Sequence, residues 1–371
     1  MPPSISSPRA SRWKTRLPEV FAAVFAIGLI AYFLPRSKSE IDPMVSMPLL
    51  AMEAVAGKPL YFNGAAGEWL KWKRPELLGS DDPATSAEKL RVFAQAVLDP
   101  QSFRRLDRQY RFEALLLLGD PSEYRPLLDH LLATKDFRPV YVDHWAIILR
   151  RDAARSWQAE DFAPVRAKIA RLEKSERAKC LARAATKLAA LRMFPESQAL
   201  LEEARQLDEK SKEVWSGYAT LHMDRGEWQD AMTCADRALA GGSEPLSALA
   251  VKTQVLYATK HFSEAYELSK QLIGRLPDDP NLLFYHAKIA HEAHAYKAEI
   301  AVLEKLIARA EADARPVSGY QLYLAQAYAA AGDAPRAVEA FMRVLNDPEL
   351  PQDQRDFARE NIARIKKRAG L

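Results

Sequence analysis

The sequence predicts an all-α fold: a solenoid of helix–turn–helix hairpins preceded by a single N-terminal transmembrane helix. Three observations carry this. Ala, Leu, Glu, Arg and Lys dominate, strand-favouring tracts are scarce, and most glycines and prolines fall between helix-like stretches rather than inside them. Four aromatic residues, Phe194, Trp228, Phe262 and Tyr296, stand a constant 34 positions apart. The run from Val20 to Leu34 carries no charged or strongly polar group, which suits a lipid environment.

A chain of 371 residues admits two domains of ordinary size or one elongated array, and its 48% apolar content is ample for a buried core, so disorder is not the default. The net charge of +4 is mild for this length because acidic and basic residues alternate along helix faces. Nucleic acid is therefore not implied. Cys180 and Cys234 form neither a CxxC pair nor a disulfide framework, so packing must hold the fold.

Arg9, Arg12, Lys14 and Arg16 precede LPEVFAAVFAIGLIAYFLP. The uncharged run is short against the roughly 20 residues of a spanning helix, but Leu17, Pro18 and snorkelling of flanking basic side chains extend its reach. A cleaved signal peptide would offer small residues before the cut. Here the run ends in Tyr32-Phe33-Leu34-Pro35, and no cysteine follows to make a lipoprotein site. An uncleaved signal-anchor over residues 17–35 is preferred, with cleavage and a buried helix of a soluble domain as the alternatives. Arg36 and Lys38, after the span, are diluted by Glu40 and Asp42. The positive-inside bias then puts residues 1–16 in the cytoplasm at the inner or plasma membrane, and everything after residue 35 outside it, in the periplasm of a double-membraned bacterium.

With 34 residues as the period, Leu181, Trp215, Leu249 and Leu283 share one register. Ala185, Ala219, Thr253 and Ala287 share a second that demands small side chains, and Ser197, Ala231 and Ala265 a third. Large apolar, small, aromatic and small positions at this period resemble the tetratricopeptide repeat (TPR), a pair of antiparallel helices joined by a tight turn. The resemblance covers residues 178–351, as units 178–211, 212–245, 246–279 and 280–313, a four-residue insertion, and 318–351. It implies a right-handed α-superhelix.

The fifth unit contains YLAQAYAAAGDAPRAVEAF, from Tyr323 to Phe341. Ala325 and Ala337 are expected where the two helix backbones approach closest, with Leu324, Tyr328, Phe341 and Val344 filling the volume around them. Gly332 should end one helix and Asp333 cap the next. Departures from the repeat pattern are Glu299 at a small position, His222 in place of an aromatic, and Ala334 breaking the aromatic series.

Residues 352–371 read as a capping helix with Phe357, Ile362 and Ile365 on one face, the alternative being a basic helix on a membrane surface. Residues 36–84 read as a linker with local structure, in which Trp69, Lys71, Trp72, Lys73 and Arg74 either pack on the first hairpin or touch lipid headgroups. From 85 to 177 the text reads as degenerate helical hairpins continuing the superhelix, with apolar runs in KLRVFAQAVL, FEALLLLG, PLLDHLLA and VDHWAIILRR. SEYRPLL and EDFAPVR each place an aromatic two residues before a proline suited to a first helical turn.

No phosphate-binding loop, nucleophile elbow, HExxH or dinucleotide fingerprint occurs. His291 and His294 lie one turn apart, while His286 points elsewhere. Carboxylates such as Asp278-Asp279 and Glu202-Glu203 have no partner that the spacing brings into an acid–base pair. Neither an enzyme nor a metal or other cofactor is expected.

The resemblance implies that function resides on the inner face of the array, lined by first helices. Carried onto this chain, the lining is Lys179, Ala182 and Thr186; Ser216, Thr220 and Met223; Ala250, Gln254 and Tyr257; Asn281, Phe284 and Lys288; and Leu322, Gln326 and Ala329. A carboxylate clamp is not expected, because Lys179 lies in a different unit from Asn281 and Lys288. Tyr257 and Phe284 are the expected anchors for a protein or peptide partner. The resemblance implies a membrane-anchored scaffold in the assembly of an envelope or secretion complex. An accessory for polysaccharide binding or export, and an enzyme with an unrecognised site, are the alternatives.

Overall fold

A computed structural model of the protein describes residues 59–73, 92–93, 96–97, 100–151, 153–240, 245–312, 317–347, 350 and 352–369. The expected anchor at 17–35, the basic N-terminus and most of the linker, Arg74 included, lie outside the described residues. So do the side chains of Trp69, Lys71, Trp72 and Lys73. Among the described residues, no helix is long and apolar enough to cross a membrane.

The all-α expectation gives way between residues 60 and 150 to a four-stranded sheet. Strand β1 (Leu60–Phe62) leads into helix α1 (Gly64–Lys73), and α2 (Pro100–Tyr110) leads into β2 (Ala114–Leu118). A 3-10 turn (Pro121–Tyr124), α3 (Arg125–Thr134), β3 (Arg138–Val142) and β4 (Ala146–Arg150) follow. The strand order is β1-β2-β4-β3, with β1 parallel to β2 and the other pairs antiparallel, Leu115 facing Leu149 and Leu117 facing Ile147.

The reason the helical reading fails here is visible in the residues. Ala114–Leu118 is a continuous apolar run buried on both faces, and such a run fits a central strand as well as a buried helix. The β-branched Val140, Val142, Ile147 and Ile148 favour the pleat. Asp143 then closes the β3–β4 hairpin: its Oδ1 accepts from the N–H groups of Trp145 (2.6 Å) and Ala146 (2.7 Å), and its Oδ2 from Tyr141 (2.6 Å). Asn63 ties β1 to β2 from inside the core, its Nδ2 donating to Leu118 O (2.7 Å) and its Oδ1 accepting from Leu118 N and Ala66 N (both 3.1 Å).

Pro126 and Pro164 stand in the first turns of α3 and α4 (Ala163–Ile169), each helix entered from a 3-10 turn ending in a buried aromatic, Tyr124 or Phe162. The two segments share this local device but not a tertiary role. One lies in the chain between β2 and β3, and the other leads directly into the helical array.

That array consists of five helix pairs: α5 (Lys174–Ala190) with α6 (Phe194–Leu207), α7 (Lys212–Arg225) with α8 (Trp228–Leu239), α9 (Leu246–Ala258) with α10 (Phe262–Arg275), α11 (Pro280–Glu292) with α12 (Tyr296–Ala312), and α13 (Ser318–Ala330) with α14 (Ala334–Leu345). Phe194, Trp228, Phe262 and Tyr296 each open the second helix of a pair.

The turns repeat at backbone level. Arg192, Gly226, Lys260, His294 and Gly332 all have positive φ, between 58° and 83°. In each turn the next N–H reaches back five residues: Met193 to Leu188, Glu227 to His222, His261 to Leu256, Ala295 to Ala290 and Asp333 to Tyr328, at 2.8–2.9 Å. This is the six-to-one bond of a Schellman cap, which satisfies carbonyls left over at the end of the first helix. Asp333 also accepts from Arg336 N and caps α14.

The small registers lie where the backbones meet. Ala185, Ala219, Thr253, Ala287 and Ala325 are buried, as are Ser197, Ala231, Ala265 and Ala337. The Ser197 hydroxyl donates to the carbonyl of Ala185 at 2.8 Å, which places the two small positions against one another. Between pairs the approach is also close, since a Cβ on Gly217 would lie 2.6 Å from Leu201 Cδ2.

Helix α15 (Gln352–Ala369) packs on α14 through Ala358 and Ile365. Phe357, expected on the buried face, remains 40% exposed with its ring 6.3 Å from that of Phe341. Arg355 donates to the carbonyls of Leu345 and Leu350, satisfying backbone acceptors at and just beyond the end of the last repeat helix.

Candidate interaction groove

The first helices α5, α7, α9, α11 and α13 carry the groove positions expected from the repeat register, and their side chains differ in availability. On α5, Lys179 pairs with Glu176 at 2.7 Å, Thr186 donates to Arg183 O, and Ala182 is buried. The neighbouring face of α5 is taken by the sheet. Arg183 lies over the Trp145 ring at 5.7 Å, and the Lys187 ammonium, 3% exposed, donates to His144 O at 3.0 Å.

On α7, Ser216 is enclosed, so it cannot reach a ligand as expected, and Thr220 donates to its carbonyl at 3.1 Å. Met223 packs against the cluster of Ala219, Ala231 and Val255. Asp224, at the end of α7, is held by Arg125 of α3 at 2.9 Å, and its carbonyl accepts from Arg192. The α/β unit thus engages the first two helix pairs.

Further along, the lining is aromatic. Tyr257 on α9 meets Tyr285 on α11 edge to face at 5.8 Å. One residue earlier on α11, Phe284 meets Tyr320 (5.3 Å) and Tyr323 (4.9 Å) on α13, again edge to face. Tyr323 and Glu292 also lie close enough to Tyr257 that, after burial, their charges raise its phenol pKa. Five partly buried rings therefore mark a stripe of two contact groups on three consecutive first helices, Tyr257 with Tyr285 and Phe284 with Tyr320 and Tyr323. Edge-to-face rings at this separation support one another, and Tyr285 is the more enclosed, since burial raises its phenol pKa.

Around the stripe, Gln254, Asn281, Lys288, Gln326 and Ala329 are half-buried, as is Ala250. The N–H of Asn281 is occupied by Asp279, which caps α11. Leu322 packs with the C-terminal cluster around Tyr328 and Phe341. Tyr285, Tyr320 and Tyr323 were missed by the carried-over positions because they sit one or two residues off the lining register. The sequence signal available was the density of aromatics in α11 and α13.

The three histidines of YHAKIAHEAHAY do not converge. His286 is buried against Ser269 (2.7 Å) and stacks on Tyr266 (5.3 Å), and burial lowers its pKa to about 4. His291 sits 3.0 Å from the carboxylate of buried Glu299, and His294 2.6 Å from Tyr296. Burial raises the Glu299 pKa, and His291 opposes that rise. A carboxylate at a register built for a small residue is thus accommodated by a pairing imidazole.

Ionisable groups also gather where the strand ends meet α5. Burial lowers the pKa of Lys187 to about 8 and that of His144 to about 4. The surrounding carboxylates have structural duties: Asp143 closes the hairpin, and Asp120 caps the 3-10 turn through Ser122. A cleft of about 480 Å³ lies elsewhere, among α12, α13 and α14, lined by Glu304, Tyr328, Arg336, Glu339 and Arg343. Arg343 there pairs with Glu339 at 2.7 Å, and the Tyr328 hydroxyl donates to Glu304 at 2.7 Å, so the aromatic stripe is the better recognition surface.

No protein-family model and no curated protein matches this sequence. Among solved structures the chain is similar to YrrB, described as a TPR protein with an unusual peptide-binding site (14% identity, 55% of this chain and 100% of that one, TM-score 0.44). It is similar to PilW, a type IV pilus biogenesis factor (18% identity, 53% and 91% coverage, TM-score 0.42). It is also similar to residues 41 to the end of MamA from Desulfovibrio magneticus RS-1 (18% identity, 46% and 94% coverage, TM-score 0.39). Assignment of the paired-helix repeat rests on the chain's own period and on the recurrent backbone turn.

Proposed function

We propose that this chain is a membrane-anchored TPR-type scaffold whose aromatic stripe holds an extended segment of a partner protein. The observation that carries the proposal is the pair of ring groups, Tyr257 with Tyr285 and Phe284 with Tyr320 and Tyr323, on the consecutive first helices α9, α11 and α13. Aromatic side chains with few rotatable bonds supply contact area at low entropic cost and concentrate binding energy at the centre of an interface. Gln254 and Gln326 stand beside the stripe to bond a peptide backbone.

The segment at residues 17–35, with its uncharged run from Val20 to Leu34, would tether the array to a membrane and raise its effective concentration near other membrane components. Assembly of an envelope or secretion complex is the context proposed. Isolation of the full chain from membranes, wild type against Tyr257→Ala plus Phe284→Ala, tests the stripe: one partner should be lost with helicity unchanged, and retention of every partner would move the interface elsewhere. A reporter active only outside the cytoplasm, fused after Leu371, should be active; an inactive fusion would overturn the proposed topology.

Tyrosines beside amides also favour a second possibility, an accessory that binds polysaccharide. Retarded migration of the full chain in a gel containing soluble glycan, abolished by the same double substitution, would select it.

A further inference from the structure

The second helix pair departs from its neighbours in the combination of three residues at its turn. The position four residues before the left-handed residue is buried and apolar in the other units: Leu188, Leu256, Ala290 and Tyr328. In the second unit it is His222, half-buried at the end of α7. The position just after the left-handed residue is Glu227, and the one three further along is Asp230, on the first turn of α8. No other unit repeats the trio. The corresponding residues are Leu188, Met193 and Glu196; Leu256, His261 and Glu264; Ala290, Ala295 and Ala298; and Tyr328, Asp333 and Arg336.

The fold brings these three side chains together. One ligand atom from each of His222, Glu227 and Asp230 lies within 4.8 Å of the others, and Nδ1 of His222 is 2.6 Å from Oε2 of Glu227. Among the described residues this is the one such grouping of three metal-ligating side chains. Gly226, at φ +77°, reverses the chain so that the end of α7 faces the start of α8. Ligand atoms sharing one ion at bonds of about 2.0–2.2 Å must lie within roughly 4.4 Å of one another. Glu227 and Asp230 are exposed, so side-chain rotation is the means by which their carboxylates would close that gap.

We propose that His222, Glu227 and Asp230 bind a first-row divalent cation, with zinc as the best match. One imidazole nitrogen and two carboxylate oxygens make a mixed set that suits Zn²⁺, whereas Mg²⁺ and Ca²⁺ favour all-oxygen shells. Water completes the coordination, because the site opens to solvent on its carboxylate side. The bound ion pins the turn between α7 and α8, one unit ahead of the aromatic stripe. It also accounts for giving up apolar burial at position 222.

Isothermal titration of ZnCl₂ into the chelator-stripped full chain, carrying no histidine tag, tests this. The wild type should take up one Zn²⁺ per chain at this site, with excess Mg²⁺ failing to compete. His222→Phe keeps the apolar character of the register, and Glu227→Gln plus Asp230→Asn changes only exposed side chains; each should weaken binding at least about tenfold, the smallest loss expected for even a supporting residue of a metal site. Absence of a stoichiometric event in the wild type would overturn the proposal. Wild-type affinity in both variants would also overturn it, placing the ion on other side chains such as His291 and His294.

Discussion

The α/β unit and the helical array use the same apolar alphabet to opposite ends. In the unit, the Ala114–Leu118 run crosses the sheet centre and meets residues distant in sequence, so Leu115 faces Leu149 and Asn63 bonds Leu118. In the array, Ala185 meets Ser197 and Ala325 packs with Ala337, partners within one hairpin. Non-local pairing leaves little trace in a local pattern, whereas a stacked hairpin writes its packing into every period. The comparison predicts that single changes in the unit break long-range closure and that changes in the array are felt as local misfit.

The largest effect is expected at Asn63. Replacement by alanine removes the donor to Leu118 O and both bonds accepted by Oδ1, leaving buried backbone groups unpaired, at a cost of about 3–4 kcal/mol. Chemical denaturation should show it, and a loss below about 1 kcal/mol would mean that the β1–β2 connection contributes little.

The junction between the two regions should titrate. Burial lowers the Lys187 pKa to about 8 from an ordinary 10.5, so between those values the unfolded chain holds the extra proton. Stability should therefore rise with pH across that window, by about 2–3 kcal/mol, and the full penalty is present below it. The groups facing this ammonium are Asp120, Glu123, Asp143, Arg183 and His144. Lys187→Met should abolish the rise in denaturation midpoint from pH 8 to 10; an unchanged profile would show that the lysine is solvated.

Within the array, Ala337→Leu should destabilise by about 1–3 kcal/mol through overpacking against α13. A melting temperature equal to the wild type's would break the register. The smallest effect is expected at Lys260, a non-glycine residue at φ +64°. Lys260→Gly relieves a conformation costing roughly 1–2 kcal/mol, offset by the entropy glycine loses on folding, for a net gain of up to about 1 kcal/mol. A loss of that size in thermal unfolding would argue against a left-handed turn there.

Legibility in the sequence follows the same division. Phe194, Trp228, Phe262 and Tyr296 marked the starts of second helices because the period puts one residue in one environment repeatedly. The left-handed turn was visible at Gly332 but hidden at Arg192, Lys260 and His294, where stacking overrides local preference. The sheet was hidden because FEALLLLG carries no alternation once both faces are buried. In the groove, Tyr257 and Phe284 were found by register. Tyr285, Tyr320 and Tyr323 required the relative rotation of adjacent hairpins, which no single unit encodes, and enclosure of Ser216 has the same origin.

The central claim, that stacked first helices create the working surface, is tested most directly by photo-crosslinking from a residue placed beside the stripe. A benzophenone side chain at Gln254 in the full chain should yield one defined protein adduct, and the adduct should vanish with Tyr257→Ala plus Phe284→Ala. The same probe at Gln229, on the first turn of α8, should yield none. Adducts from Gln229 but not from Gln254 would contradict the account.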